Sequence, residues 1–373
     1  MDNRVVLELN PSTDNPRNSE GAFARLADGR LFFAYSRFYG GTADHSPADI
    51  AARFSSDGGR TWTAQDVIVL KNEADHNIMS VSLLPLQDGS LGLFYARKNS
   101  LLDNRVWLRR SSDDAKSWSE PNLVVQAPGY FVLNNDRTVR LSEGRIVAPV
   151  AYHRAKADTQ GIPDYSTFEG RGIILYYLSD DDGHTWREAA DWWAMPISDA
   201  GGLQEPGVVE LKDGRLWSWC RTDMGQQWSL WSPDRGEHWS QPVPTRIMSP
   251  CSPASVKRIP ETGDLLMIWN DHDRLPHAAA SGERGGSGIP PLAPGPASAG
   301  RTPLVSAISR DEGTTWGYRR CIEDSSKHGF CYTAIYFVDD AVLLAYCAGG
   351  AETKGVLNRL RLRRIELEWF YAV

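Results

Sequence analysis

Polar side chains recur at a fixed offset from a repeated turn. Six hairpin signals run along the chain, each an apolar stretch, a polar turn and a second apolar stretch. They fall at 26–31, 86–91, 141–146 and 211–216, with weaker copies at 260–265 and 338–343. Asp-Gly between alternating apolar runs is a strong hairpin signal. Eight residues before the turn acid stand Glu20, Ser80, Asn135 and Glu205, and in the last repeat Cys331 beside Tyr332. Carboxylates, an amide and a phenol at equivalent places are a set that moves protons and holds polar ligands. A repeat with no chemistry would need no polar ring there. Arginines are placed to join them: Arg37 and Arg97 after the first two turns, Arg137 in Asn134-Asn135-Asp136-Arg137, Arg221, and Arg301. Guanidinium groups hold a carboxylate through paired hydrogen bonds. Asp44 lies in a polar loop, and His76 and His153 suit the wall of a site.

These residues need a scaffold that brings equivalent positions together, and a second repeat supplies it. Ser-x-Asp-x-Gly-x-Thr-Trp stands complete at 55–62, 179–186 and 309–316. Two further copies are degenerate, with Ala115 for Gly in 111–118 and His238 for Thr in 232–239. The Asp accepts backbone N–H bonds within a tight turn, the Gly takes positive φ, and the Trp folds back as an apolar plug. Five such Asp boxes alternate with the six hairpins. The reading is an all-β chain, a six-bladed β-propeller in one domain over residues 1–373. The last blade lacks a box. It is expected to close the ring by pairing a first strand at 4–9 with alternating sequence at 356–370. A Gly-, Pro- and Ala-rich insertion at about 277–299 is expected as a flexible loop between the fifth and sixth blades.

Composition narrows the partners. Hydrophobic residues make up 41% of the 373 residues and charged residues 23%, a balance that can build a core. A formal net charge of −7 disfavours nucleic acid. No apolar stretch is long enough to span a bilayer, so no membrane partner is expected. The start, Met1-Asp2-Asn3-Arg4, lacks the order of a signal peptide. The expectation is a cytoplasmic protein, or a secreted or periplasmic one if a leader has been removed. The five cysteines are scattered without metal-ligand spacing and read as free thiols.

The boxes and hairpins together resemble the sialidase (neuraminidase) superfamily, bacterial type, over nearly the whole chain. The resemblance implies roles residue by residue. Gln204-Glu205-Pro206-Gly207 resembles the segment with a catalytic Glu, and Arg221, at the end of the next strand, an arginine of a carboxylate clamp. Arg301, in Arg301-Thr302-Pro303 ahead of a box, matches the next clamp member. Tyr332, in Cys331-Tyr332-Thr333-Ala334-Ile335, matches the nucleophile. Asp44, thirteen residues before Asp57, stands near the expected acid/base. A sialoside bears a carboxylate on its anomeric carbon, which would repel a carboxylate nucleophile, so a neutral phenol is suited to attack. Glu205 would take the phenol proton, and Asp44 would protonate the leaving oxygen.

One position departs from the family. Where it has Arg-Ile-Pro with the first clamp arginine, this chain has Ser19-Glu20-Gly21. Arg37, Arg97 or Arg137 is then expected to complete the clamp, with Arg137 favoured. Glu20, Asn135 and His76 complete the expected substrate contacts. The function implied is an exo-acting, retaining glycoside hydrolase without metal or cofactor, which releases a terminal sialic acid or related acidic sugar from a glycoconjugate. Two alternatives stay open. The sugar differs, with Glu20 bound to a hydroxyl or amine, or the chain is a non-catalytic carbohydrate-binding propeller with Trp192, Trp193, Trp228 and Trp231 as platforms.

Overall fold

Alternating apolar residues and tight polar turns make this chain almost entirely strand. The computed structural model describes residues 2–195, 197, 200–273 and 300–372, and the 277–299 insertion lies outside them. The described residues form an all-β protein with no α-helix, and none of their helices is long and apolar enough to cross a membrane.

The strands fall into units built on one antiparallel plan. The first unit orders Arg17–Arg25, Leu31–Phe38, Ala48–Ser55 and Val67–Leu70 side by side. The fourth repeats this with Gln204–Glu210, Leu216–Arg221, Gln226–Ser232 and Val243–Met248. The fifth uses Ser255–Arg258, Leu265–Asn270, Leu304–Ser309 and Gly317–Glu323. The second, beginning at Asn77–Pro85, and the third, centred on Ile146–His153, merge where Tyr130 pairs in parallel with Asn104. In the sixth, Cys331–Val338, Ala341–Cys347 and Leu360–Glu366 are completed by the chain's first strand, Asn3–Leu9. Asn3 pairs with Ile365 and Leu9 with Leu360, so both chain ends share one sheet, as the alternation at 4–9 predicts.

The Asp boxes fasten each unit to the one before it. Inside a box, Asp57 accepts from the Thr61 N–H at 2.9 Å and the Thr61 hydroxyl at 2.7 Å, and Trp62 Nε1 donates to the Gly59 carbonyl at 3.2 Å. These bonds outweigh the desolvation of Asp57 and hold its carboxyl down to about 2. Outward, the second box gives Asp114 to the Ala27 N–H, and the third gives Asp182 to the Gln87 N–H. The fourth packs Gly236 on Leu216 and Leu178, and the fifth binds the Lys212 N–H through Glu312. The first box reaches the last unit, where Arg364 donates to the Gly58 carbonyl. The sixth unit has no box. Its C-terminal turn instead sends the Tyr371 hydroxyl to Asp264 of the fifth unit at 2.9 Å.

This stapling gives a stability test. Gly59 has φ +81°, and a Cβ there would meet Leu343 side-chain atoms at 2.7 and 2.9 Å. Gly59→Ala is expected to cost about 2 kcal/mol through left-handed strain and overpacking, read from the denaturant midpoint. An unchanged midpoint would show that this staple carries no load.

Candidate active site

The first strands of four units share a local irregularity, and it aims polar side chains. The register slips between Ser19 and Ala22, Met79 and Ser82, Gln204 and Gly207, and Cys331 and Ala334. Within each slip one residue is left-handed: Glu20 at φ 57°, Ser80 at 61°, Glu205 at 48° and Tyr332 at 59°. A bulge adds a residue to one strand and re-aims its side chain. Each left-handed non-glycine costs about 1–2 kcal/mol, and such strain clusters at functional sites. Gly21 follows the first bulge because a Cβ there would lie 2.5 Å from the Phe33 ring.

Glu205, Arg221 and Tyr332 form one hydrogen-bonded group. The Tyr332 hydroxyl donates to Glu205 Oε1 at 2.9 Å. Arg221 Nη1 donates to Glu205 Oε2 at 2.8 Å and to the Tyr332 oxygen at 3.1 Å. The Arg301 guanidinium lies 5.3 Å from the Tyr332 ring centroid, and its Nη1 donates to Cys331 Sγ at 3.0 Å. Burial and then the Glu205 charge push the Tyr332 phenol well above its usual value, against Arg221 and Arg301. Tyr332 therefore rests as a neutral phenol whose proton already points at a carboxylate. Burial would raise the Cys331 thiol, but the Cys347 thiol and Arg301 outweigh it and hold it at about 7.

A second group surrounds Glu20. Its Oε2 accepts from the Ser80 hydroxyl at 2.5 Å, and its Oε1 from Arg17 Nη2 at 3.2 Å. Arg17 is 1% exposed. Its Nη1 reaches Asp44 Oδ1 at 2.5 Å and the Thr42 carbonyl at 3.1 Å. Lys98 Nζ and Asn77 Nδ2 both donate to the Asp44 carbonyl, at 2.7 and 2.8 Å. Burial raises the Glu20 carboxyl, and Arg17 and Ser80 only partly offset this. For Asp44, desolvation acts upward, but Arg17 and then Lys98 prevail and lower it. Arg301 also pulls Asp44 down, and Glu20 pushes Tyr332 up, so the two groups share one electrostatic field.

The structure thus brings together Tyr332, Glu205, Arg221 and Arg301, and sets Glu20 and Asp44 on Arg17. Asn135 is a strap beneath them, donating to the Gly21 carbonyl at 2.8 Å and the Tyr332 carbonyl at 3.1 Å. The three expected replacements for the clamp are engaged elsewhere. Arg137 is buried against the Ala254 carbonyl at 2.6 Å and lies 5.8 Å from the Trp219 ring. Arg37 donates to Asp66 at 3.1 Å and lines a separate cleft of about 400 Å³ with Asp49 and Lys71. Arg97 stacks at 5.4 Å on Trp107. The His76 ring lies 6.2 Å from that of His45, and the His76 backbone N–H donates to the Lys98 carbonyl. Of the tryptophans expected as platforms, Trp228 is buried core, Trp193 packs against the same cluster and donates to the Trp239 carbonyl, and Trp192 is exposed. Arg17, Lys98 and Asn77 escaped the sequence reading. The one available signal for Arg17 was its place three residues before Glu20 on the same strand.

Solved structures share this fold. A protein of unknown function from Dyadobacter fermentans aligns with 98% of this chain and 99% of its own, at 16% identity and a TM-score of 0.69. The NanB sialidase from Streptococcus pneumoniae aligns with 98% of this chain and 70% of its own, at 15% identity and a TM-score of 0.69. The intramolecular trans-sialidase from Ruminococcus gnavus aligns with 99% of this chain and 98% of its own, at 14% identity and a TM-score of 0.68. At these identities the likeness is one of fold. No curated protein matches the chain in sequence. The family model described as BNR repeat-like domain matches residues 29–344, most of the chain, and with the sialidase fold around that match the protein belongs to the sialidase-like BNR superfamily.

Proposed function

We propose that this protein is a six-bladed β-propeller glycoside hydrolase that removes a terminal acidic sugar, of the sialic acid class, with retention of configuration. The observation that carries the reading is the Tyr332–Glu205–Arg221 group beneath Arg301. The blade arrangement is supported by the stapling order, in which each box holds the preceding unit and the first box holds the last. Arg221 and Arg301 supply two neighbouring guanidiniums for a ligand carboxylate. As the phenol oxygen attacks the anomeric carbon, its proton passes to Glu205 along the 2.9 Å bond. Asp44 protonates the leaving oxygen, and then activates water to release the sugar from Tyr332.

Asp44 is held below the ordinary carboxylate range, so its acid form grows as pH falls. The expected turnover therefore rises from pH 7 towards pH 5. The test is a panel of fluorogenic glycosides, sialosides included, assayed across that range. No turnover of any acidic sugar at any pH would remove this reading.

Glu20 favours a second reading of the sugar. It stands where the family carries its first clamp arginine, and burial pushes it towards the neutral form. A neutral carboxyl can donate to a hydroxyl or accept from an amine. Release of a sugar without an anomeric carboxylate, in preference to sialosides, would decide for it.

A further inference from the structure

Three aromatic side chains form a rigid cluster that the proposed chemistry does not use. Phe168 follows the short turn Tyr165–Thr167 and is 37% exposed, although it is large and apolar. It stacks on His153 at 5.4 Å and meets Tyr130 edge-on at 5.1 Å. Tyr130 and His153 are opposed in register on neighbouring strands, with rings 6.2 Å apart. His153 Nδ1 lies 3.1 Å from the Glu169 carbonyl, which can only accept. The proton is therefore assigned to Nδ1, and Nε2 is left as an acceptor. Burial lowers the His153 pKa and keeps the ring neutral.

The cluster flanks the site on the side of Asp44. Lys98 spans the two, with its Nζ 2.7 Å from the Asp44 carbonyl and 5.4 Å from the Tyr130 ring centroid. On its other side His153 senses the charges of Glu205 and Arg221. A general acid must stand beside the leaving oxygen, so the leaving group lies on the Asp44 side. An exposed aromatic ring fixed by two others offers a flat apolar face at little cost in lost motion. A pyranose has an apolar C–H face to lay on such a ring and hydroxyls at its rim for an imidazole nitrogen.

We propose that Phe168, backed by Tyr130 and His153, is the stacking platform for the leaving-group sugar of the substrate. The proposal rests on the glycosidase reading and deepens it: the substrate is an oligosaccharide or glycoconjugate whose second ring is held here. The test compares 3′-sialyllactose, whose leaving group is lactose, with the sialosyl fluoride, whose leaving group is one atom. Phe168→Ala is expected to lower kcat/KM on sialyllactose about tenfold, mainly through KM, and to leave the fluoride within about twofold. Phe168→Tyr should restore the native value. An equal loss on both substrates, or no loss on sialyllactose, overturns the platform. Should the native protein turn over neither substrate, the functional reading fails, and lactose alone still tests the platform by saturation-transfer NMR. Transfer to lactose from native protein and its loss in Phe168→Ala uphold it; no transfer to lactose from native protein overturns it.

Discussion

Tyr332→Phe is expected to abolish the covalent sugar–enzyme adduct and to lower kcat by at least about a thousandfold, while the protein stays folded. The ring remains to fill its place beside Arg301, and only the hydroxyl is lost. Glu205 keeps Arg221 as its partner at 2.8 Å, so no buried charge is orphaned. The adduct is checked by intact mass after trapping with a fluorinated sugar, and folding by the thermal midpoint. Glu205→Gln tests the same bond from the other end, because an amide cannot take the phenol proton. Its expected loss is about a hundredfold or more. Near-normal turnover by Tyr332→Phe would instead favour the second reading of the sugar, in which a carboxylate attacks or activates water.

Arg17→Met should be strongly destabilising. Removing one partner of a buried ion pair costs about 3–5 kcal/mol, because the other charge stays buried and unpaired. Here that group is Glu20, 4% exposed, with Ser80 as its remaining hydrogen-bond partner, and the full cost applies where its carboxyl is ionised. The loss should grow with pH. A carboxyl whose folded pKa lies above its ordinary value binds extra protons when folded, so stability falls as pH rises from about 4.5 through the folded value. Without Arg17 the folded value moves higher still, and the penalty extends to higher pH. Asp44 adds a part that does not depend on pH in this range. Its lowered pKa contributes stability above the ordinary carboxylate range, and without Arg17 the largest cause of that lowering disappears equally at pH 5 and pH 8. Denaturant unfolding at pH 5 and pH 8 checks this: a larger loss at pH 8 is expected, and equal losses would refute the ionic account. The same variant takes the guanidinium partner from the Asp44 carboxyl while Lys98 and Asn77 still hold its carbonyl, so turnover should fall with it.

The repeats determine much by themselves. Box spacing and hairpin turns are local chemistry, in which an Asp caps N–H groups two to four residues away and a Gly takes positive φ, and short-range patterns of that kind are written directly in sequence. Glu205 and Tyr332 were legible because they keep a near-constant distance to a turn, and that distance fixes their height along the first strand of a unit. The replacements expected for the clamp were not, for two physical reasons. Side chains alternate across a strand, so one residue of offset changes the face. Arg221 stands seven residues after Gly214, whereas Arg37 and Arg97 stand eight after Gly29 and Gly89, and these two turn to Asp66 and Trp107. The bulges then shift the parity again, and a bulge exists only against a partner strand, as the slip between Ser19 and Ala22 does against Leu31–Phe38. Arg17 shows the consequence. Its sequence position makes it one strand residue among many, and only folding brings Glu20, Asp44 and the Lys98 side chain of the next unit around it. Tertiary structure decided that network because burial sets its charges and its members come from separate units, and neither property is encoded in the spacing of a single strand.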